Sequence, residues 1–118
     1  MMRSLLLVSV LGGCAFAPPY NVMADYELAR IKVATEYMVA RCPGLKPLEV
    51  RMNLVLPAAR ASAMGRGADS DAADKLESMA LEFESQLTLG EVSKAYCVQM
   101  LAGIHGGVVK IRGAYREK

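Results

Sequence analysis

Only one stretch of this chain alternates polar and apolar residues, and a lone strand has nothing to pair with. Leu48, Val50, Met52, Leu54 and Leu56 alternate with Glu49, Arg51 and Asn53, the period of a half-buried strand. An unpaired strand would leave its backbone N–H and C=O groups unsatisfied. The same residues also read as a helix, because Leu48, Met52, Val55 and Ala59 share a helical stripe and Pro47 suits a first turn. A helix from Pro47 to Met64 is therefore expected, kinked or broken at Pro57, where a helical N–H is missing.

The other periodic stretches are helical without ambiguity. Leu28, Ile31, Thr35, Met38 and Cys42 fall on one face of a first helix that Pro43 and Gly44 end. Asp69 and Asp71 offer caps and favourable charge for a third helix, along which Ala72, Leu76, Met79, Phe83 and Leu87 form the apolar stripe. Thr88 and Glu91 have the spacing of a capping box, which predicts a fourth helix whose stripe is Cys97, Leu101, Ile104, Val108, Ile111 and Tyr115. The expected fold is all-α, a compact bundle of four helices, or five if the second breaks at Pro57. Gly103, Gly106 and Gly107 would each cost about 1 kcal/mol in a helix interior, so they mark either close helix packing or a bend. A phosphate-binding loop would need a preceding strand and a following Lys and Ser or Thr, which these glycines lack.

The N-terminus carries an export pattern. Met1, Met2 and Arg3 form a short positive region, Leu5 to Leu11 an uncharged apolar run, and Gly12 and Gly13 break it. One reading makes residues 1–24 a signal peptide cleaved after Ala24, with Val22 and Ala24 in the small-residue positions, and leaves 25–118 as a single domain. In the other, Leu11-Gly12-Gly13-Cys14 resembles the lipobox of bacterial lipoproteins. That resemblance implies a signal over 1–13, diacylation of Cys14 as the new first residue, and a tether over 14–24. The apolar run is well short of the roughly 20 residues a membrane span needs.

Both readings take Cys14 out of the disulfide count. Cys42 and Cys97 remain, an even pair in a compartment that permits oxidation, and a disulfide between them is expected. By loop-closure entropy such a bond stabilises the fold by about 4 kcal/mol.

Charge is segregated along the chain. Residues 25–67 hold seven Lys and Arg against four Asp and Glu, residues 68–91 one against seven, and residues 92–118 five against one. No basic stripe with aromatic or Gly-rich interleaving is present, so no nucleic-acid partner is expected. His105 is the single histidine, which leaves zinc and serine-type sites short of ligands. It lies about 12 Å of helical rise from Cys97, too far for a thiolate–imidazole pair. Glu82 and Glu84, two apart, point to different sides of a helix and do not form an acid and base pair. Asp71 and Lys75 have the spacing of ordinary helix support. Met23, Met38, Met52, Met64, Met79 and Met100 suit an adaptable core filled without Trp.

The expectation is a small exported envelope protein without catalytic activity or cofactor. It would act as a helical binding or accessory module toward another envelope protein or a second copy, and touch a membrane only if anchored through Cys14. The alternative is a periplasmic stress chaperone. In layout the chain resembles the Hde-type acid-stress chaperones of bacteria, with two cysteines about fifty residues apart in helical surroundings and a short tail after the second. No substrate-binding residue transfers by that likeness. A small enzyme is the third reading.

Overall fold

A computed structural model of the chain describes residues 21–65 and 67–116. Cys14 and the other residues up to 20, where the export pattern falls, lie outside the described residues, as do Arg66, residues 117–118 and the side chains of Tyr115 and Arg116. The described residues are helical, with no strand among them.

Helix α1 (Val22–Met38) starts at an Asn21 cap whose Oδ1 accepts the Ala24 N–H at 3.0 Å, and it runs into a 3₁₀ turn, Val39–Arg41. The second rod is continuous through the alternating segment: α2 (Pro47–Val50), a π-helical stretch Arg51–Val55, and α3 (Leu56–Met64). Pro57 thus neither breaks nor ends the helix. A π turn directly before it widens the coil where the proline ring would press on the carbonyl four residues back, and Leu56 N–H bonds the Arg51 carbonyl, five residues back. Within that stretch Asn53 Nδ2 donates to the Glu49 carbonyl at 2.9 Å. The bundle therefore has four rods, not five.

Helix α4 (Ala68–Leu89) follows a Gly67 whose φ of 56° favours glycine; Asp69 and Asp71 lie in the first turn rather than at the cap. It stops at Gly90, φ 155°. The capping box expected at Thr88 and Glu91 does not form. Thr88 is still inside α4, its hydroxyl donating to the Glu84 carbonyl, and the cap of α5 (Lys94–Arg116) is Ser93, whose Oγ accepts the Tyr96 N–H at 3.0 Å.

The inward stripes assemble one core. Leu28, Ile31, Thr35 and Met38 from α1 meet Val50, Leu54, Val55 and Ala58 from the second rod, Leu76, Ala80 and Phe83 from α4, and Leu101, Ile104 and Val108 from α5. Around the bundle α1 touches α3 and α5, and α4 touches the same two, so α1 and α4 stand at opposite corners. Cys42, just past α1, is bonded to Cys97 in the α5 seam, with Cα atoms 5.7 Å apart. Gly103 and Gly107 form a packing face on a continuous α5: a Cβ on Gly103 would lie 3.1 Å from Met79 Cε and one on Gly107 2.7 Å from Leu76 Cδ2, while Gly106 faces open space.

Candidate binding face

Asn21 and Ala24, before Asp25, pack against the rest of the bundle. Ala24 is completely buried, and Asn21, besides capping α1, donates from Nδ2 to the Met64 carbonyl at the far end of the second rod, 3.2 Å away. Asp25 is held from α5 by Arg112, Nε to Oδ1 at 2.8 Å and Nη2 to Oδ2 at 3.3 Å. Glu27 is buried with its carboxylate toward Arg30 at 3.4 Å and Arg60 of α3 at 3.7 Å. The start of α1 is therefore tied to both of its neighbours.

The opposite face of α1 is unusual for a helix in water. Val22, Met23, Tyr26, Val33 and Tyr37 are 56–67% exposed and, with Arg30, fall within one outward stripe. A surface helix ordinarily carries polar residues there, so α1 is apolar on both sides. A groove of about 480 Å³ runs along the stripe, lined by Tyr26, Ala29, Val33, Ala34 and Tyr37, with Asn53 of the π turn on its far wall. Arg30 lies 6.0 Å over the Tyr26 ring and Arg41 5.7 Å over that of Tyr37, which holds guanidinium groups at the border of the apolar strip. Leu48 and Met52, one turn apart on the second rod, are also exposed. The stripe was legible as Val22, Tyr26, Val33 and Tyr37 at helical spacing, but periodicity alone does not say which of two apolar faces is the core.

The cations here stand outside their carboxylates. Side chains of Arg30, Arg41 and Arg60 are 40–52% exposed, against 8% for Glu27 and 27% for Glu49. Arg41 sits 2.6 Å from Glu49, and this hydrogen bond holds the Glu49 carboxyl below its ordinary range. The diagonal corner has the reverse sign, since α4 carries Asp69, Asp71, Asp74, Glu77, Glu82 and Glu84.

The candidate reactive residues are not brought together. Cys97 has its sulfur in the disulfide. His105 points instead at α1, Nε2 3.0 Å from Glu36 Oε2, with Lys32 Nζ at 2.8 Å from the same oxygen. Lys32 first and His105 second lower the pKa of that exposed carboxyl. Glu84 pairs with Arg51 at 2.9 Å, and Glu82 accepts a hydrogen bond from Gln86. Among the described residues no cluster of three His, Cys, Asp or Glu could hold a metal ion, and no helix is long and apolar enough to cross a membrane.

Fold and face together define a disulfide-closed four-rod helical domain with one apolar, arginine-bordered outer helix. Comparison with protein-family models, curated proteins and solved structures returns no match.

Proposed function

We propose that this chain is an exported, non-catalytic helical module of the bacterial envelope, anchored through Cys14 and acting through the outward face of α1. The observation that carries the binding role is that face: an apolar, aromatic strip on a helix whose inner side already fills the core. The Cys42–Cys97 bond is compatible with an oxidising compartment. Processing upstream of Asn21 is supported by the buried Ala24 and the Asn21 ties, because cleavage after Ala24 would strip α1 of its cap and its first turn.

Intact mass of the protein from membrane and soluble fractions, reduced and unreduced, tests the anchoring. A diacylated chain beginning at Cys14 is the expected species, and an unmodified chain beginning at Asp25 would refute it. For the binding role, a photo-crosslinker at Val33 should give adducts that the same group at Ser78 on α4 does not. Equal yields from both positions would remove the face from the proposal.

The chaperone reading keeps one supporting observation, in Glu36, which joins α1 to His105 of α5, and Glu49, which joins the second rod to Arg41. Their carboxyls are held below the ordinary range, Glu36 by Lys32 and His105 and Glu49 by Arg41, so acid would loosen these contacts. Unchanged dimensions and no protection of a denatured client at pH 2 to 3 would discard it.

A further inference from the structure

We infer that the surface covered by the outward face of α1 is the anionic phospholipid bilayer itself, on which α1 lies lengthwise; this rests on the anchoring proposed above. Three observations select that occupant.

The first is reach. Asn21 stands seven positions after Cys14, a step that extends to at most about 25 Å. Helix α1, 17 residues, is itself about 25 Å long. A chain lipidated at Cys14 thus delivers the N-terminal end of α1, and no other rod end by so short a path, to the headgroup layer.

The second is composition. Tyr26 and Tyr37 with Val22, Met23 and Val33 form an apolar strip, and arginines stacked over both tyrosine rings edge it. Tyrosine and arginine are the residues that settle at a membrane–water boundary, the ring among acyl carbonyls and the cation at phosphate level.

The third is charge. Arg30, Arg41 and Arg60 project beyond the carboxylates they pair with, so the border of the strip presents cations outward. A symmetric pairing of two copies through this face would set that border against itself, since a two-fold interface matches a patch with the same patch. The acidic α4 corner, which could complement it, lies on the diagonal and would join copies head to tail, in a ring or an open chain, instead of as a two-fold pair. An anionic bilayer meets the arginines and is repelled by α4, which orients the domain with α1 down and α4 up.

The chain contains no Trp, so a single introduced one reports its own surroundings. Val33→Trp on the strip and Leu81→Trp on exposed α4 are made in the full chain, and the processed protein is purified from envelopes. It is then reconstituted in vesicles of phosphatidylglycerol with acyl-brominated phosphatidylcholine. At an interfacial depth of about 5–10 Å, Val33→Trp should be blue-shifted and quenched at least about twofold more than Leu81→Trp. Adding Tyr26→Ser and Tyr37→Ser should bring the two to parity. Equal quenching at both positions overturns the inference, whether both are quenched or neither is. A blue-shifted, unquenched Val33→Trp whose spectrum follows protein concentration also overturns it, in favour of a second copy on the face. The mass of the same preparation separates the two proposals. An unlipidated chain with selective quenching refutes the Cys14 anchor and leaves the bilayer contact standing, whereas a lipidated chain without selective quenching refutes the contact alone.

Discussion

Shortening the chain to begin at Asp25, compared with one beginning at Ala15, should destabilise the domain by about 3 kcal/mol, an estimate built from one capping bond, one side-chain hydrogen bond and one buried methyl. The Asn21 Oδ1 bond to the Ala24 N–H is an N-cap, worth about 1 kcal/mol. Its Nδ2 bond to the Met64 carbonyl, at 3.2 Å and partly buried, adds about 0.5–1 kcal/mol. Ala24 is 0% exposed, so its loss returns about one methyl group's burial, near 0.8 kcal/mol. The new α-amino charge would sit at the positive end of α1 and cost a further few tenths, about 0.3–1 kcal/mol. Backbone ordering of Val22 to Ala24 nearly cancels against their helical hydrogen bonds, because helix propagation is close to neutral. For a domain of this size 1 kcal/mol moves the midpoint by roughly 4–8 °C, so thermal melts followed by circular dichroism should differ by about 12–24 °C. Asn21→Ala in the longer chain should supply about half of that, since it removes both side-chain bonds and leaves Ala24 in place. Midpoints within about 2 °C of each other, against the roughly 4–8 °C that 1 kcal/mol produces, would show that the domain begins at Asp25 and would restore cleavage after Ala24.

Four further outcomes can be checked on the same protein. Cys42→Ser with Cys97→Ser should lower stability by about 4 kcal/mol in urea titration, and a loss under about 1 kcal/mol would mean the 55-residue loop is already constrained when unfolded. Gly106→Ala should stabilise by up to about 1 kcal/mol, whereas Gly107→Ala should be neutral or destabilising, as its Cβ would meet the buried Leu76; equal effects would discount the α4–α5 approach. Tyr96→Phe should be neutral or stabilising by about 1 kcal/mol, because the buried Tyr96 hydroxyl has no hydrogen-bond partner among the described residues and is pushed toward higher pKa by burial and Glu82; a clear loss would reveal a bond to that oxygen. The Glu49 carboxyl is depressed in the folded state, chiefly by Arg41, so its contribution is present above the ordinary 4.5 and lost as pH falls through the lower folded value. Glu49→Gln should therefore flatten the fall in urea midpoint between neutral pH and pH 3, and a variant as acid-sensitive as the parent would exclude this pair from acid unfolding.

The inward stripes were legible because a helix repeats its core contacts every three or four residues. Leu28 to Met38, Leu76 to Phe83 and Cys97 to Ile111 needed no knowledge of their neighbours, and the unpaired alternating run correctly resolved into a helix. Element ends were less legible. Thr88 and Glu91 have the spacing of a capping box, yet Gly90 adopts a φ of 155° between them and α4 ends only there, so the capping role passes to Ser93. Nor does any local signal announce a π turn at Arg51–Val55, which arises from fitting Pro57 into a rod that packing on α4 keeps continuous.

The sequence by itself determined that the chain is helical, gave the inward stripes of α1, α4 and α5, and pointed to Cys42 and Cys97 as the bonded pair; in the second rod the expected stripe failed, since Leu48 and Met52 are exposed and Val50, Leu54 and Ala58 turn inward with Val55. Only the tertiary structure set Asn21 against Met64 and Ala24 into the core, and left the second apolar face of α1 outside. The physical reason is range. A small residue such as Ala24 suits a peptidase and a tight helix contact equally well, and what separates the two is a bond to Met64, 43 residues on, and a neighbouring ion pair to Arg112, 87 residues on. A stripe's periodicity is written within one helix, whereas its burial depends on the rods packed against it, and α1 has neighbours on only one side.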